Sequence, residues 1–334
     1  MTLVQPKSRF RPAVPAIARG DIKIAVILPC YNEAAAIGRT VDGFRAALPS
    51  AAIYVFDNNS TDGTAEVARQ AGAMVLTERM QGKGNVVRRM FADVEADVYV
   101  MADGDATYDP DAAPAMIDLL WAESYDMVVG CRKDKEIDAY RRGHRIGNRL
   151  LTGCVATLFG RSFTDILSGY RVFSRRFVKS FPSLSSGFEI ETDITIHALG
   201  CRLPVGEIET DYFARPDGSV SKLSTWRDGL RILWMIGNLF RQEKPFAFYG
   251  LIALCLVLSS IGLAVPLAIT YAETGLVPRF PTAILCSSLM LLAALCFVSG
   301  LILDTVTRGR REIKRLVYLG LSSVGVTQSY GMSC

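Results

Sequence analysis

The sequence predicts an α/β domain with a mostly parallel sheet, joined on its C-terminal side to two membrane-spanning helices. Three observations carry that expectation. Between Asp21 and about Arg132, short runs rich in β-branched residues alternate with helical patterns, as in sheets covered on both faces by crossover helices. Two later stretches, Phe246 to Tyr271 and Phe280 to Leu303, hold no charged residue, and each exceeds the roughly 20 residues that a helix needs to cross a bilayer. The 334-residue chain is 50% hydrophobic, too apolar for an ordinary soluble domain of this length.

The elements follow in order. Residues 1–21 are basic and broken by prolines, without the continuous apolar core of a signal peptide; they read as a disordered leader that does not export residues 1–245. A first strand, "IKIAVILP", precedes a helix from about Glu33. The second, "AAIYVFD", precedes a helix from about Thr61, with Ser60, Thr61 and Asp62 as caps. "AMVLTE" and a helix from about Gly84 come next, then "DVYVMAD" and a helix from about Pro110, a first-turn residue. "YDMVVGCR" is the fifth strand.

Beyond it, Arg141, Arg142, Arg145 and Arg149 stand among Ile146, Leu150, Val155, Leu158 and Phe159, a pattern for an amphipathic interfacial helix over about 140–160. A second such helix is expected over 225–244, where Trp226, Leu230, Leu233, Ile236 and Phe240 form the stripe. Core-facing helices would show the same periodicity. The first domain thus runs over 22–224, and the hairpin over 245–304 holds spans at about 246–271 and 280–303. A basic tail occupies 305–334.

Arg241 and Lys244 flank the first span, and Arg308, Arg310, Arg311, Lys314 and Arg315 follow the second, whereas the connecting loop has only Glu273 and Arg279. The positive-inside rule therefore puts the N-terminal domain and the C-terminus on the cytoplasmic side of a multi-pass protein of the cytoplasmic (inner) membrane. Eight cysteines without a C-x-x-C pair indicate neither a zinc site nor a disulfide framework. The net charge of +4 is small, and the basic residues gather near the spans, which points to membrane lipid as a partner and away from nucleic acid. The hairpin also supplies a face through which copies of the chain could form a homo-oligomer.

Ligands of open parallel sheets bind outside the carboxyl ends of the strands. Tyr31, Asn32 and Glu33 follow the first strand, Asp57 ends the second, Asp103 and Asp105 end the fourth, and Arg132 ends the fifth. Two carboxylates two residues apart can point toward one cation, and magnesium or manganese is held by such a pair with water and phosphate oxygens. The Gly, Asp and Pro content of "DGDATYDP" also suits a plain solvated turn. Asp109, directly before Pro110, fits helix entry. Lys83, between Gly82 and Gly84, offers a point charge to a ligand or sits on a simple glycine turn; the Walker spacing is absent.

The segments "VILPCYNEAAAI", "VFDNNSTDGTAEVA", "GKGNVVRR" and "ADGDATYDP", in this order, resemble the family-2 glycosyltransferases of the GT-A fold, a Rossmann-like α/β class. With "DILSGYRVFSR", "FEIET", "RPDGSVSKLSTWRDG" and the two spans, the chain resembles the polyprenyl-phosphate glycosyltransferases related to dolichol-phosphate mannose synthase, over about residues 22–315. The resemblance implies that Pro29, Tyr31, Glu33 and Asp57 hold the base and ribose of a nucleotide sugar, with Lys83 and Arg132 on the same ligand. It makes Asp103 and Asp105 the Mg2+ or Mn2+ pair, and Arg215 and Lys222 the phosphate-serving cations of catalysis. Arg141, Arg145, Asp165 and Arg171 are candidates for the acceptor side; Asp165 reads equally as a turn residue. Asn58 stands where many relatives carry a second acid.

A polyprenyl phosphate acceptor has a second pKa of about 6 and is already an oxyanion at neutral pH, so it needs alignment and charge screening and no dedicated base. The resemblance implies metal-dependent, inverting transfer of one hexose-type sugar, giving a β-linked lipid sugar for cell-envelope glycan or lipopolysaccharide. UDP is favoured over GDP because the two-span arrangement resembles that of UDP-sugar users. The sugar itself stays open. Two other readings are a transferase with a hydroxyl acceptor and a non-catalytic nucleotide-sugar-binding scaffold; the Q-x-x-R-W motif of processive synthases is absent. Glu189 and Glu191 are either caps or acceptor-site residues, and His144 and His197 read as structural.

Overall fold

A computed structural model describes residues 22–133, 153, 163–182, 187, 189–216, 236–277 and 279–322. The leader, Arg141, Arg145, Lys222 and most of the two expected amphipathic helices lie outside the described residues.

The five expected strands form as β1 (Ile24–Cys30), β2 (Ala52–Asp57), β3 (Met74–Thr77), β4 (Val98–Met101) and β5 (Met127–Lys133). Two more join them, β6 (Arg171–Ser174) and β7 (Val205–Asp211). Together they make one seven-stranded sheet in the order β3-β2-β1-β4-β6-β5-β7. β6 runs antiparallel between β4 and β5, and every other pairing is parallel. Sequence periodicity passes over β6 because "RVFS" is four residues long and leads straight into a helix. It passes over β7 because that edge strand mixes Glu207, Glu209 and Asp211 with apolar residues.

β1 shows why the sheet is buried on both sides. Ala25 and Ile27 pack into one core with Val86, Met90, Phe91, Phe173 and Phe177, while Val26 and Leu28 pack into the other with Ile37, Phe44, Met116 and Tyr170. The alternation is the two-residue period of a strand, with apolar side chains required on both faces. Helices α1 (Ala34–Ala47) and α4 (Ala113–Ala122) cover one face. α3 (Lys83–Asp93), α5 (Arg175–Ser180) and α6 (Ile190–Gly200) cover the other.

Helix α2 (Thr64–Gln70) starts three residues later than the capping pattern predicts, with Gly63 as its N-cap at φ 86°. The expected caps serve the neighbouring loop instead. Asn32 N donates to Ser60 Oγ at 2.8 Å, Thr61 N donates to Asn32 Oδ1 at 2.8 Å, and Ala34 N donates to Asp62 Oδ2 at 3.0 Å. Thr64 Oγ1 takes Glu33 N at 2.9 Å. The loops after β1 and β2 are therefore stitched together, and the unpaired amide groups at the start of α1 are satisfied by side chains of α2's approach. Asp109 serves helix entry, accepting from Asp111 N at 3.1 Å ahead of the turn Pro110–Ala112.

At the C-terminal side, α7 (Pro245–Thr274) and α8 (Phe280–Leu319) are each long and apolar enough to cross a membrane. They pack through small residues that recur every seven positions, Ala253 and Ser260 on α7 and Cys286, Ala293, Gly300 and Thr307 on α8. That period suits close, slightly supercoiled helix packing. Leu251, Leu254, Leu258, Leu291 and Leu295 face outward, an arrangement suited to lipid and not to water.

The expected basic tail begins as helix, because α8 continues past Leu303 to Leu319 and docks on the α/β domain. Tyr318 is buried, and its hydroxyl donates to Asp126 Oδ2 at 2.7 Å. Asp126 also accepts from Arg176 Nε at 2.6 Å, Arg176 Nη2 at 2.9 Å and Ser174 Oγ at 2.7 Å. The guanidiniums of Arg176 and Arg315 lie 4.6 and 5.0 Å from the Tyr318 ring centre.

Candidate active site

The polar residues gather at the carboxyl ends of β1, β2 and β4, as expected for an open sheet. After β1, Tyr31 is exposed and Glu33 is buried. Pro29 lies inside β1, buried and in register with Phe56. At the end of β2, Asp57 Oδ2 accepts from Ser60 N at 3.2 Å, whereas its buried Oδ1 has no hydrogen-bond partner among the described residues. An orphaned carboxylate oxygen at a strand end is an acceptor awaiting a donor.

Asn58, whose acidic counterpart the resemblance led one to expect, has a structural task. Its Nδ2 donates to Glu78 O at 2.8 Å and to Met80 O at 2.9 Å, and its Oδ1 accepts from Gly82 N at 2.8 Å. These bonds shape the loop that delivers Lys83 to the start of α3.

Between the two aspartates, Gly104 is dictated by space: a Cβ there would collide with Cys30 Sγ. Ala106 completes the turn at φ 57°, a conformation costly for residues with a side chain. Asp105 accepts from Thr107 Oγ1 at 2.6 Å and pairs with Arg215 Nη2 at 2.7 Å. Arg215 also reaches Glu33 Oε1 at 3.7 Å. Burial and then the charge of Asp103 push the Asp105 carboxyl above its ordinary pKa, against the pull of Thr107 and Arg215.

Lys83 Nζ lies 2.5 Å from Asp103 Oδ1 and 2.5 Å from Glu191 Oε1. Burial alone would lower its pKa, but Asp103 and Glu191 outweigh that and hold it above the usual lysine value, so the ammonium stays charged. Gly169 matters here too, because a Cβ on it would come within 2.8 Å of Asp103 Oδ2.

Arg132 grips Asp165 with two bonds, Nε to Oδ2 at 2.7 Å and Nη2 to Oδ1 at 2.8 Å, and its guanidinium lies 5.5 Å from the Tyr212 ring centre. The fork holds Asp165 to β5, where it can position Arg132. Arg171 requires a correction. It is 0% exposed, donating to Ser168 O at 2.9 Å, Ile166 O at 2.6 Å and Thr195 Oγ1 at 2.9 Å. A guanidinium committed to the core cannot meet an acceptor phosphate, and Arg171 is a structural residue.

Among the described residues, no group of three or more His, Cys, Asp or Glu side chains is placed to cage a metal. The donor set still fits Mg2+ or Mn2+, which take one or two carboxylates and complete their shell with water and phosphate oxygens. Burial first, and then the charge of Asp103, raise the Asp105 carboxyl, and a cation shared by the two would relieve the repulsion between them. Asp103 and Asp105 would hold the ion.

The family model for glycosyl transferase family 2 matches residues 25–181. Glycosyltransferase AglJ of Haloferax volcanii is 35% identical over 247 residues, covering 73% of this chain and 81% of that protein. The chain belongs to glycosyl transferase family 2. This glycosyltransferase is also 58% identical over 126 residues to protein RfbJ of Shigella flexneri, covering 37% of this chain and 98% of RfbJ. A dolichyl-phosphate hexose transferase of Haloferax volcanii is 32% identical over 152 residues, 46% of this chain and 66% of that one. In fold, it is similar to glucosyl-3-phosphoglycerate synthase of Mycobacterium tuberculosis, solved with Mn2+, UDP-glucose and phosphoglyceric acid. There the TM-score is 0.54 at 23% identity, over 65% of this chain and 80% of that one.

Sequence reasoning did not find the roles of Glu191, Asn58, Gly169 and Tyr212. For Glu191 a signal existed, since an acidic residue in the first turn of a largely buried helix calls for a cationic partner. Which partner it has is a tertiary fact.

Proposed function

We propose that this glycosyltransferase transfers one sugar, with inversion, from a UDP-sugar to a polyprenyl phosphate at the cytoplasmic face of the inner membrane, which α7 and α8 cross. The observation that carries the proposal is the charge constellation at the strand ends. Asp103 and Asp105 are each paired with a cation, Lys83 and Arg215, in a chain that also bears two long apolar helices. The relative named for dolichyl-phosphate hexose transfer supports a lipid phosphate acceptor. The complex of the structural neighbour with Mn2+ and UDP-glucose supports the donor and the metal.

In this reading Asp57 Oδ1 accepts a base or ribose donor and the exposed ring of Tyr31 offers a stacking face. Lys83 and Arg215 bring positive charge beside the diphosphate, joined by Lys222, while Arg132, Arg141 and Arg145 serve the phosphate groups. A bound Mg2+ or Mn2+ supplies charge neutralisation for the departing diphosphate. A phosphate nucleophile arrives ionised, so the chain's own groups have only to align it and screen repulsion between two phosphates.

The test uses purified full-length protein, radiolabelled UDP- and GDP-sugars, and undecaprenyl phosphate with and without Mn2+. Metal-dependent label in acid-labile, organic-extractable lipid is expected, and Asp105→Asn should abolish it. Label in diacylglycerol and none in undecaprenyl phosphate would refute the phosphate acceptor.

A further inference from the structure

We propose that Glu191 is a positioning residue for metal binding, the counter-ion that keeps Lys83 satisfied when Asp103 turns to the metal. The inference rests on the reading of Asp103 and Asp105 as the metal pair.

The geometry is a three-membered ion cluster with unequal ends. Lys83 bridges Asp103 and Glu191, and side-chain exposure is 12% for Lys83, 30% for Asp103 and 7% for Glu191. Asp103 is the open end, reachable by a ligand from the crevice; Glu191 is the closed end.

Glu191 is also held firmly. It lies in the first turn of α6, where its carbonyl accepts from Thr195 Oγ1 at 2.9 Å, and Thr195 Oγ1 in turn accepts from Arg171 Nη1 at 2.9 Å. The fully buried Arg171 braces the helical turn that carries Glu191, which gives this core arginine a task connected to the site.

Charge counting gives the consequence. The cluster brings together the carboxylates of Glu33, Asp103, Asp105 and Glu191 and the cations Lys83 and Arg215, a surplus of two negative charges that one divalent ion balances. Without Glu191 the surplus falls to one, and Lys83 depends on Asp103. An ion that claimed Asp103 would then strand a buried ammonium, a severely unfavourable state. With Glu191 in place, Lys83 keeps a partner, and its remaining hydrogens are available to a phosphate oxygen.

The deciding experiment measures Mn2+ binding directly, by the electron paramagnetic resonance signal of unbound Mn2+, in full-length protein without nucleotide, so that the diphosphate contact proposed for Lys83 does not enter the result. Glu191→Gln should weaken Mn2+ binding about 10- to 100-fold, the range for residues that orient metal ligands. Lys83→Met combined with Glu191→Gln removes the ammonium as well as its partner and should recover most of that loss. Because it removes the buried ammonium together with its counter-ion, this double variant also carries the test if Glu191→Gln does not fold. Unchanged binding in Glu191→Gln, or a double variant at least tenfold weaker than wild type, would overturn the inference while leaving the metal pair intact. Wild-type protein that binds no Mn2+ would overturn the metal pair and this inference together.

Discussion

Replacing Asn58 with Asp changes one atom and should damage both the fold and the site. In the native protein the amide nitrogen donates to the carbonyls of Glu78 and Met80 at 2.8 and 2.9 Å, and the amide oxygen accepts from Gly82 N at 2.8 Å. A carboxylate can keep the last of these bonds but has no hydrogen for the other two. It also brings negative charge against two carbonyl oxygens at a position only 3% exposed. Each lost bond is worth about 1 kcal/mol net, and a buried carbonyl left unsatisfied costs about 1–3 kcal/mol. For the two carbonyls together the cost is roughly 2–6 kcal/mol. At about 2–4 °C per kcal/mol for a domain of this size, thermal scanning of detergent-purified protein should show Tm lower by roughly 4–24 °C. Because the same loop leads into Lys83, KM for the nucleotide sugar should rise as well. An Asn58→Asp variant with wild-type Tm and wild-type KM would refute the assignment of Asn58 as the clasp of this loop.

Further predictions concern other parts of the molecule. Tyr318→Phe removes one hydrogen bond to the buried carboxylate of Asp126 and should cost about 1.5–3 kcal/mol, whereas Asp126→Ala strands Arg176 and should cost about 3–5 kcal/mol; an unchanged Tm in Tyr318→Phe would refute the docking of α8. Burial, and then Glu189, raise the Asp193 carboxyl to about 6 against the pull of Lys314. Because that folded value lies above the unfolded one, stability falls as pH rises from about 4 through 6. Asp193→Asn should therefore gain on the order of 2 kcal/mol at pH 8 and nothing near pH 4, and Tm at the two pH values decides it. Gly169→Ala places a Cβ 2.8 Å from Asp103 Oδ2 and should lower kcat/KM about 100-fold by displacing the carboxylate, with the fold retained by circular dichroism.

Much of the fold was legible because its signals are local. Each of the first five strands is a short apolar run, and on both faces of β1 and β4 the side chains meet a covering helix or strand partner. The two apolar helices were equally plain. β6 and β7 were not, since one is four residues long and the other an edge strand carrying acids. In the site, the DGD pair, Lys83, Arg215 and Asp57 all stand at the carboxyl ends of strands or in the loops that follow. Arg171 misled because its sequence neighbourhood does not reveal that three buried acceptors surround it. The capping residues Ser60 and Asp62 were visible as hydrogen-bonding groups, but their partner, the loop after β1, is about thirty positions away and has no local trace.

By itself, then, the sequence determined the α/β class, the strand ends at which the polar residues gather and the two apolar helices. Each follows from periodicity, length or chemistry within a few residues. Only the tertiary structure decided which charges neutralise which, Lys83 with Glu191, Arg215 with Asp105, Arg132 with Asp165 and Arg176 with Asp126, and that the Tyr318 hydroxyl reaches Asp126 across 192 positions. The reason is physical. An apolar side chain is satisfied by any well-packed neighbour, so pattern suffices to place it, whereas a buried charge needs one oppositely charged group at one distance and angle. That requirement is met by whichever residues the folded chain brings together, however far apart they stand in sequence.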